Sequence, residues 1–82
     1  MLSALYMKDI PRYGAEAGNL YRLALTVFPD DKELWNDYGY LRTRQGAWEE
    51  AFQAYQRAIE LDPHFEIAQH NLQVILPKVR KR

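Results

Sequence analysis

Residues 32–64 read KELWNDYGYLRTRQGAWEEAFQAYQRAIELDPH, and the spacing within this stretch decides the fold. Leu34, Trp35, Tyr38 and Leu41 follow the i, i+3, i+4, i+7 pattern that lays apolar side chains along one helix face. Asp30 or Asp31 can cap the start of that helix, and Glu33 stands three residues after Asp30, as in a capping box. Gly46 sits where a helix would end on a left-handed residue. A second helix opens with Trp48-Glu49-Glu50, two acids placed where the helix dipole favours negative charge. It carries Ala51, Phe52, Tyr55, Ala58, Ile59 and Leu61 before Asp62-Pro63 stops it.

The same pattern returns upstream. Ala17, Tyr21, Ala24 and Pro29 recur 34 residues later as Ala51, Tyr55, Ala58 and Pro63, and Leu20, Leu25 and Val27 return as Ala54, Ile59 and Leu61. A step of this length predicts a stacked array of helices, an architecture that presents a surface. Turn signals at Pro11–Gly14, Pro29-Asp30-Asp31, Gln45-Gly46 and Asp62-Pro63-His64 divide the chain into five helical segments. The last of these runs from about Phe65 to Leu76 and bears Ala68, Leu72, Ile75 and Leu76. Pro77 should end or kink it, leaving Lys78-Val79-Arg80-Lys81-Arg82 as a solvated basic tail.

Composition narrows the functional classes. The chain has 82 residues, of which 48% are hydrophobic and 13% aromatic, so composition does not predict disorder. Eleven basic residues balance eleven acidic ones, which argues against a nucleic-acid surface with its basic excess. There is no cysteine, hence no disulfide, thiolate nucleophile or cysteine-based zinc site. The start makes a poor signal peptide and no stretch has the length of a membrane span, so a cytoplasmic protein is expected.

Trp35, Tyr38-Gly39, Arg42, Ala51, Tyr55, Ala58 and Pro63 fall at the spacings of the tetratricopeptide repeat, and residues 32–64 resemble that helix-turn-helix family. Two positions depart. Tyr38 stands for a leucine and Arg42 for a tyrosine, the second of which bears on packing between the paired helices. The resemblance implies an all-α, α-α superhelix of about five antiparallel helices in one domain over residues 1–82. It divides into an atypical N-terminal repeat (1–31), the best-matching repeat (32–64), a terminal helix (65–77) and the basic tail (78–82). Trp35, Tyr38, Gly39, Ala51, Tyr55, Ala58 and Pro63 form the structural signature. A glycine within a helix costs about 1 kcal/mol relative to alanine, so Gly39 implies close approach of a neighbouring helix backbone.

In this family the first helices of successive repeats line a concave groove that binds extended peptides. Carried over by position, the groove here comprises Glu33, Asn36, Asp37, Tyr40 and Arg44, then Ile67, His70, Asn71 and Val74, with Leu2 and Tyr6 from the first helix. Asparagine can bond both groups of a peptide backbone, and tyrosine offers contact area at low entropic cost. A clamp for a C-terminal carboxylate is not expected. Asn71 fits one of its asparagine places, but Asn36 and Tyr40 stand where lysine and asparagine are needed.

Leu72, Val74, Ile75 and Leu76 lack a following helix, which predicts self-association or a missing neighbour. Catalytic chemistry has no foothold. Ser3 is the sole serine, no nucleotide or metalloprotease motif is present, and His64 and His70 lie six apart with no supporting ligand. The expected function is therefore a non-catalytic protein-interaction module with no cofactor and no metal, binding a protein or peptide in its groove. A self-associating structural unit, or an accessory domain of a larger protein, is the alternative.

Overall fold

The computed structural model describes residues 10–80. Four helices run through them in order: α1 (Ile10–Val27), α2 (Lys32–Arg44), α3 (Trp48–Leu61) and α4 (Glu66–Arg80). Consecutive helices pack as hairpins, α2 against α3 most extensively, and α4 also touches α2. The chain is all-α with the helical-hairpin order that its 34-residue period predicts. The expected helix over residues 1–10 lies largely outside the described residues.

Local chemistry sets the ends of α2. Asp31 is its N-cap, accepting the backbone N–H groups of Glu33 at 3.1 Å and Leu34 at 3.2 Å. That places Glu33 at the second helical position, one residue short of a reciprocal capping box on Asp31. At the other end Gly46 takes φ +75°, and two bonds close the helix: Gly46 N–H to the Thr43 carbonyl (3.1 Å) and Ala47 N–H to the Arg42 carbonyl (2.9 Å). These are the 5→2 and 6→1 bonds of a Schellman motif.

Two expected breaks are helical instead. Pro11–Gly14 belongs to α1, not to a turn. Proline is tolerated in the first turn of a helix, where its missing N–H has no intrahelical acceptor to lose. Pro77 lies inside α4, which continues to Arg80. An interior proline costs about 3 kcal/mol, and tertiary contacts beyond it offset part of that. Val79 packs on the cluster of Ala51, Tyr55 and Ile75, and the Lys78 ammonium lies 5.5 Å from the centroid of the Trp48 ring. Lys78–Arg80 thus continue the helix and do not form a separate tail, with Val79 packed and Lys78 and Arg80 exposed.

Two clusters form the core, and they repeat each other at the sequence period. Ala17, Tyr21 and Leu41 pack with Leu34 and Tyr38; Ala51, Tyr55 and Ile75 pack with Trp48, Phe52, Leu72 and Val79. Tyr21, Leu41, Tyr55 and Ile75 are the largest fully buried side chains. Burying residues of this size stabilises by roughly 1.5–3 kcal/mol each.

Gly39 shows why the second cluster closes. A Cβ added there would lie 2.6 Å from Tyr55 Cε1, so the close neighbour is the Tyr55 ring rather than a helix backbone as expected. The Tyr55 hydroxyl is also 3.1 Å from Thr43 Oγ1, one turn along α2. Gly39→Leu should destabilise by roughly 1–3 kcal/mol through overpacking. Gly39→Ala should also lower the denaturation midpoint, because the ring contact outweighs alanine's helix-propensity gain of about 1 kcal/mol. Urea unfolding of both variants checks this; an unchanged midpoint for the leucine variant would contradict the packing assignment.

Candidate functional site

Glu33, Asn36, Asp37, Tyr40 and Arg44 share one side of α2 at helical spacing, and Ile67, His70, Asn71 and Val74 share one side of α4. A single bond joins the two rows: Asn71 Nδ2 donates to Asn36 Oδ1 at 3.1 Å. Asn36 is only 7% exposed and its carbonyl is already occupied, so it forms a floor between the helices. With its carbonyl engaged by Asn71, Asn36 keeps its amide hydrogens for a ligand. Tyr40, Ile67 and Val74 stand open to solvent at 40%, 54% and 58% exposure, giving the site an apolar surface flanking that polar floor. Glu33, Arg44 and His70 are exposed, while Asp37 and Asn71 are half-buried. Leu2 and Tyr6 lie outside the described residues.

Charge is uneven along α2. Asp31 and Glu33 stand at its start with Asp37 one turn on, and Arg42 and Arg44 occupy its last turn. Burial, then the carboxylates of Glu33 and Asp31, push the Asp37 carboxyl above its ordinary range. The opposite holds for Asp62, which follows α3. Its bonds from the Lys32 ammonium and the His64 N–H draw its carboxyl below that range. Lys32 also lies 4.8 Å from the centroid of the Phe65 ring, so the start of α2 is tied to the α3–α4 turn.

The self-association set is divided by burial. Ile75 is 1% exposed and packs on Tyr55, and Leu72 is half-buried against the same cluster. Of the four residues expected to form an uncovered face, Ile75 must be withdrawn, because α3 already covers it. Leu76 is half-buried and Val74 alone is widely exposed.

Other surface features had no counterpart in the sequence reading. A depression of about 630 Å³ lies at the α1–α2 turn, lined by Val27, Phe28 and residues 29–33. Leu23, Val27 and Phe28 are 64%, 62% and 59% exposed and lead into it. A smaller cleft between α1 and α2 is lined by Arg22, Leu25, Thr26, Trp35 and Tyr38. No spacing rule connects Arg22 to Tyr38, sixteen residues on, so the cleft was invisible in the sequence. Among the described residues no group of three or more His, Cys, Asp or Glu is placed to hold a metal ion, and no helix is long and apolar enough to cross a membrane.

The signature residues build the core: Gly39 receives Tyr55, Ala51 and Ala58 are fully buried, and the pattern repeats in Ala17 and Tyr21. A family model of the TPR repeat matches residues 39–73. The chain belongs to the tetratricopeptide-repeat family. It is 48% identical over 54 residues to a peroxisomal targeting signal receptor of Eremothecium gossypii, a match covering 66% of this chain and 10% of the receptor. The corresponding receptor of Saccharomyces cerevisiae is 43% identical over 54 residues, covering 66% of this chain and 9% of that protein. A TPR repeat-containing protein of Methanocaldococcus jannaschii is 35% identical over 65 residues, 79% of this chain and 17% of its own length. The chain therefore spans about a tenth of the receptors it matches.

Two carboxylates with opposite shifts predict opposite pH behaviour. Asp37 has a raised folded pKa, so its ionisation destabilises the fold at neutral pH, and that penalty fades as pH falls through the raised folded value and is gone below the ordinary one of about 4. Asp37→Asn should therefore raise the melting temperature at neutral pH and leave it little changed in strong acid. Asp62 has a lowered folded pKa, so its contribution is present above the ordinary range and lost as pH falls through the depressed value. Asp62→Asn should lower the melting temperature at neutral pH and flatten the acid limb of the profile. Thermal melts across about pH 2–7 distinguish the two.

Proposed function

We propose that this TPR unit is a non-catalytic binding module whose α2–α4 face holds a segment of a partner protein. The family supplies the class of function: a surface for protein interaction. The observation that carries the finer reading is the Asn36–Asn71 bond, which sets two amides between the exposed side chains of Tyr40, Ile67 and Val74. A floor of this kind suits an extended peptide. Asn71 retains an acceptor oxygen and Asn36 retains amide hydrogens, so backbone N–H and C=O groups both find partners, while apolar side chains rest on the flanks.

Similarity to peroxisomal targeting signal receptors favours a targeting segment as the partner, and a cytoplasmic setting accords with that reading. The match covers about a tenth of those receptors, so the likeness concerns one segment of them. Self-association through α4 is the less favoured reading, because Ile75 and much of Leu72 are already packed on α3.

A double variant, Tyr40→Ala with Arg44→Glu, tests the groove without touching the buried core. Affinity capture from the source lysate should recover a partner with the wild type and lose it with the variant, at an unchanged melting temperature. Equal recovery by both would move the function away from this face.

A further inference from the structure

The cleft between α1 and α2 has the donors and the apolar wall of a second binding site. Its lining is Arg22, Leu25 and Thr26 from α1, and Trp35 and Tyr38 from α2, around a volume of about 330 Å³. Helical spacing sets Trp35 and Tyr38 on the side of α2 opposite Asn36, Tyr40 and Arg44, so this cleft is separate from the groove.

Its hydrogen bonding is unusual in one respect. Arg22 Nε and Arg42 Nε both donate to the Tyr38 hydroxyl oxygen, each at 3.2 Å. A phenol oxygen accepts about two hydrogen bonds and carries one proton. With both acceptor positions filled, the O–H of Tyr38 is left to donate. The two cations are not equally balanced. Arg42 stacks 5.1 Å from the Tyr38 ring centroid, bonds Gln45 Oε1 at 2.7 Å and lies 3.8 Å from a Glu50 oxygen. Arg22 bonds only the neutral Asn19 Oδ1 besides Tyr38, and no carboxylate of the described residues lies within ion-pair distance of it.

The result is an exposed guanidinium and a phenol O–H side by side, next to a half-buried indole whose own N–H is committed to the Pro29 carbonyl at 2.8 Å. Such a pair of donors asks for an acceptor with one negative charge. A carboxylate balances Arg22; a phosphate dianion would leave excess negative charge close to Glu50. We propose that the α1–α2 cleft binds an acidic peptide segment, its carboxylate held by Arg22 and the Tyr38 hydroxyl and an adjacent apolar side chain laid on Trp35. The cleft is shallow and open, which suits one or two side chains of a chain passing over it rather than an enclosed small molecule.

The test compares two blocked dipeptides, acetyl-Glu-Phe-amide and acetyl-Gln-Phe-amide, titrated into the isotopically labelled full chain. Saturable NMR shifts are expected at the Trp35 indole N–H and the Arg22 Nε–H. The glutamate peptide should bind about fivefold more tightly, the size of an exposed charge contact, with an advantage that shrinks as salt rises. Arg22→Gln should equalise the two peptides, and Tyr38→Phe, which keeps the ring, should weaken the glutamate peptide. The comparison on the wild type needs no folded variant. Equal affinity for the two peptides, or saturable shifts at Asn71 and Val74 with none at Trp35, would overturn the proposal. Neither result would count against the groove, whose own test uses Tyr40 and Arg44.

Discussion

The structure depends on the seating of one ring. Tyr55 projects from α3 into the space that Gly39 leaves in α2, bonds Thr43 one turn further on, and packs with Ile75 of α4 on its other flank. One side chain therefore joins three helices. Its burial pushes the phenol pKa upward, as expected for a ring taken out of water while its hydroxyl keeps a partner. A glycine at position 39 costs helix propensity, and the ring contact it permits sets how closely α2 and α3 approach. Because that distance is set, α4 can reach α2 and the Asn36–Asn71 bond can form.

The same logic recurs around α1 with different residues. Tyr21 is buried beside Leu41, its ring centroid 6.4 Å from that of Tyr38. Arg42, which replaces a tyrosine of the family pattern, occupies a gap left by Gly18: a Cβ at Gly18 would lie 3.0 Å from an Arg42 guanidinium nitrogen. The departure is thus absorbed by a small residue on the neighbouring helix and by Tyr38, Gln45 and Glu50 around the charge. It also turns Tyr38 into a donor, which is what gives the α1–α2 cleft its chemical character.

Much of the fold is legible in the sequence. The Schellman turn at Gly46, the acidic start of α3 and the stop at Asp62-Pro63 are local, set by backbone conformations and dipoles that a few neighbouring residues control. At Pro11 and Pro77 the local signal to end a helix is overridden by context. One falls in a helix's first turn, and the other is spanned because Val79 and Lys78 find partners on α3. The groove positions follow from helical spacing and the family resemblance, but their exposure does not. Asn36 and Ile75 differ from the expectation because burial is decided by the helix packed against them.

By itself, the sequence determined the helical-hairpin array, its period and most of its turns, since these rest on spacing and on residues near in the chain. Only the tertiary structure decided which polar groups are spent and which remain free. Asn36 is occupied by Asn71, thirty-five residues away; Lys32 is held by Asp62, thirty away; and Tyr38 receives both Arg22 and Arg42. Hydrogen bonds between helices depend on distances of tenths of an ångström, which the packing of each helix on its neighbour sets and no pattern of residues along the chain encodes.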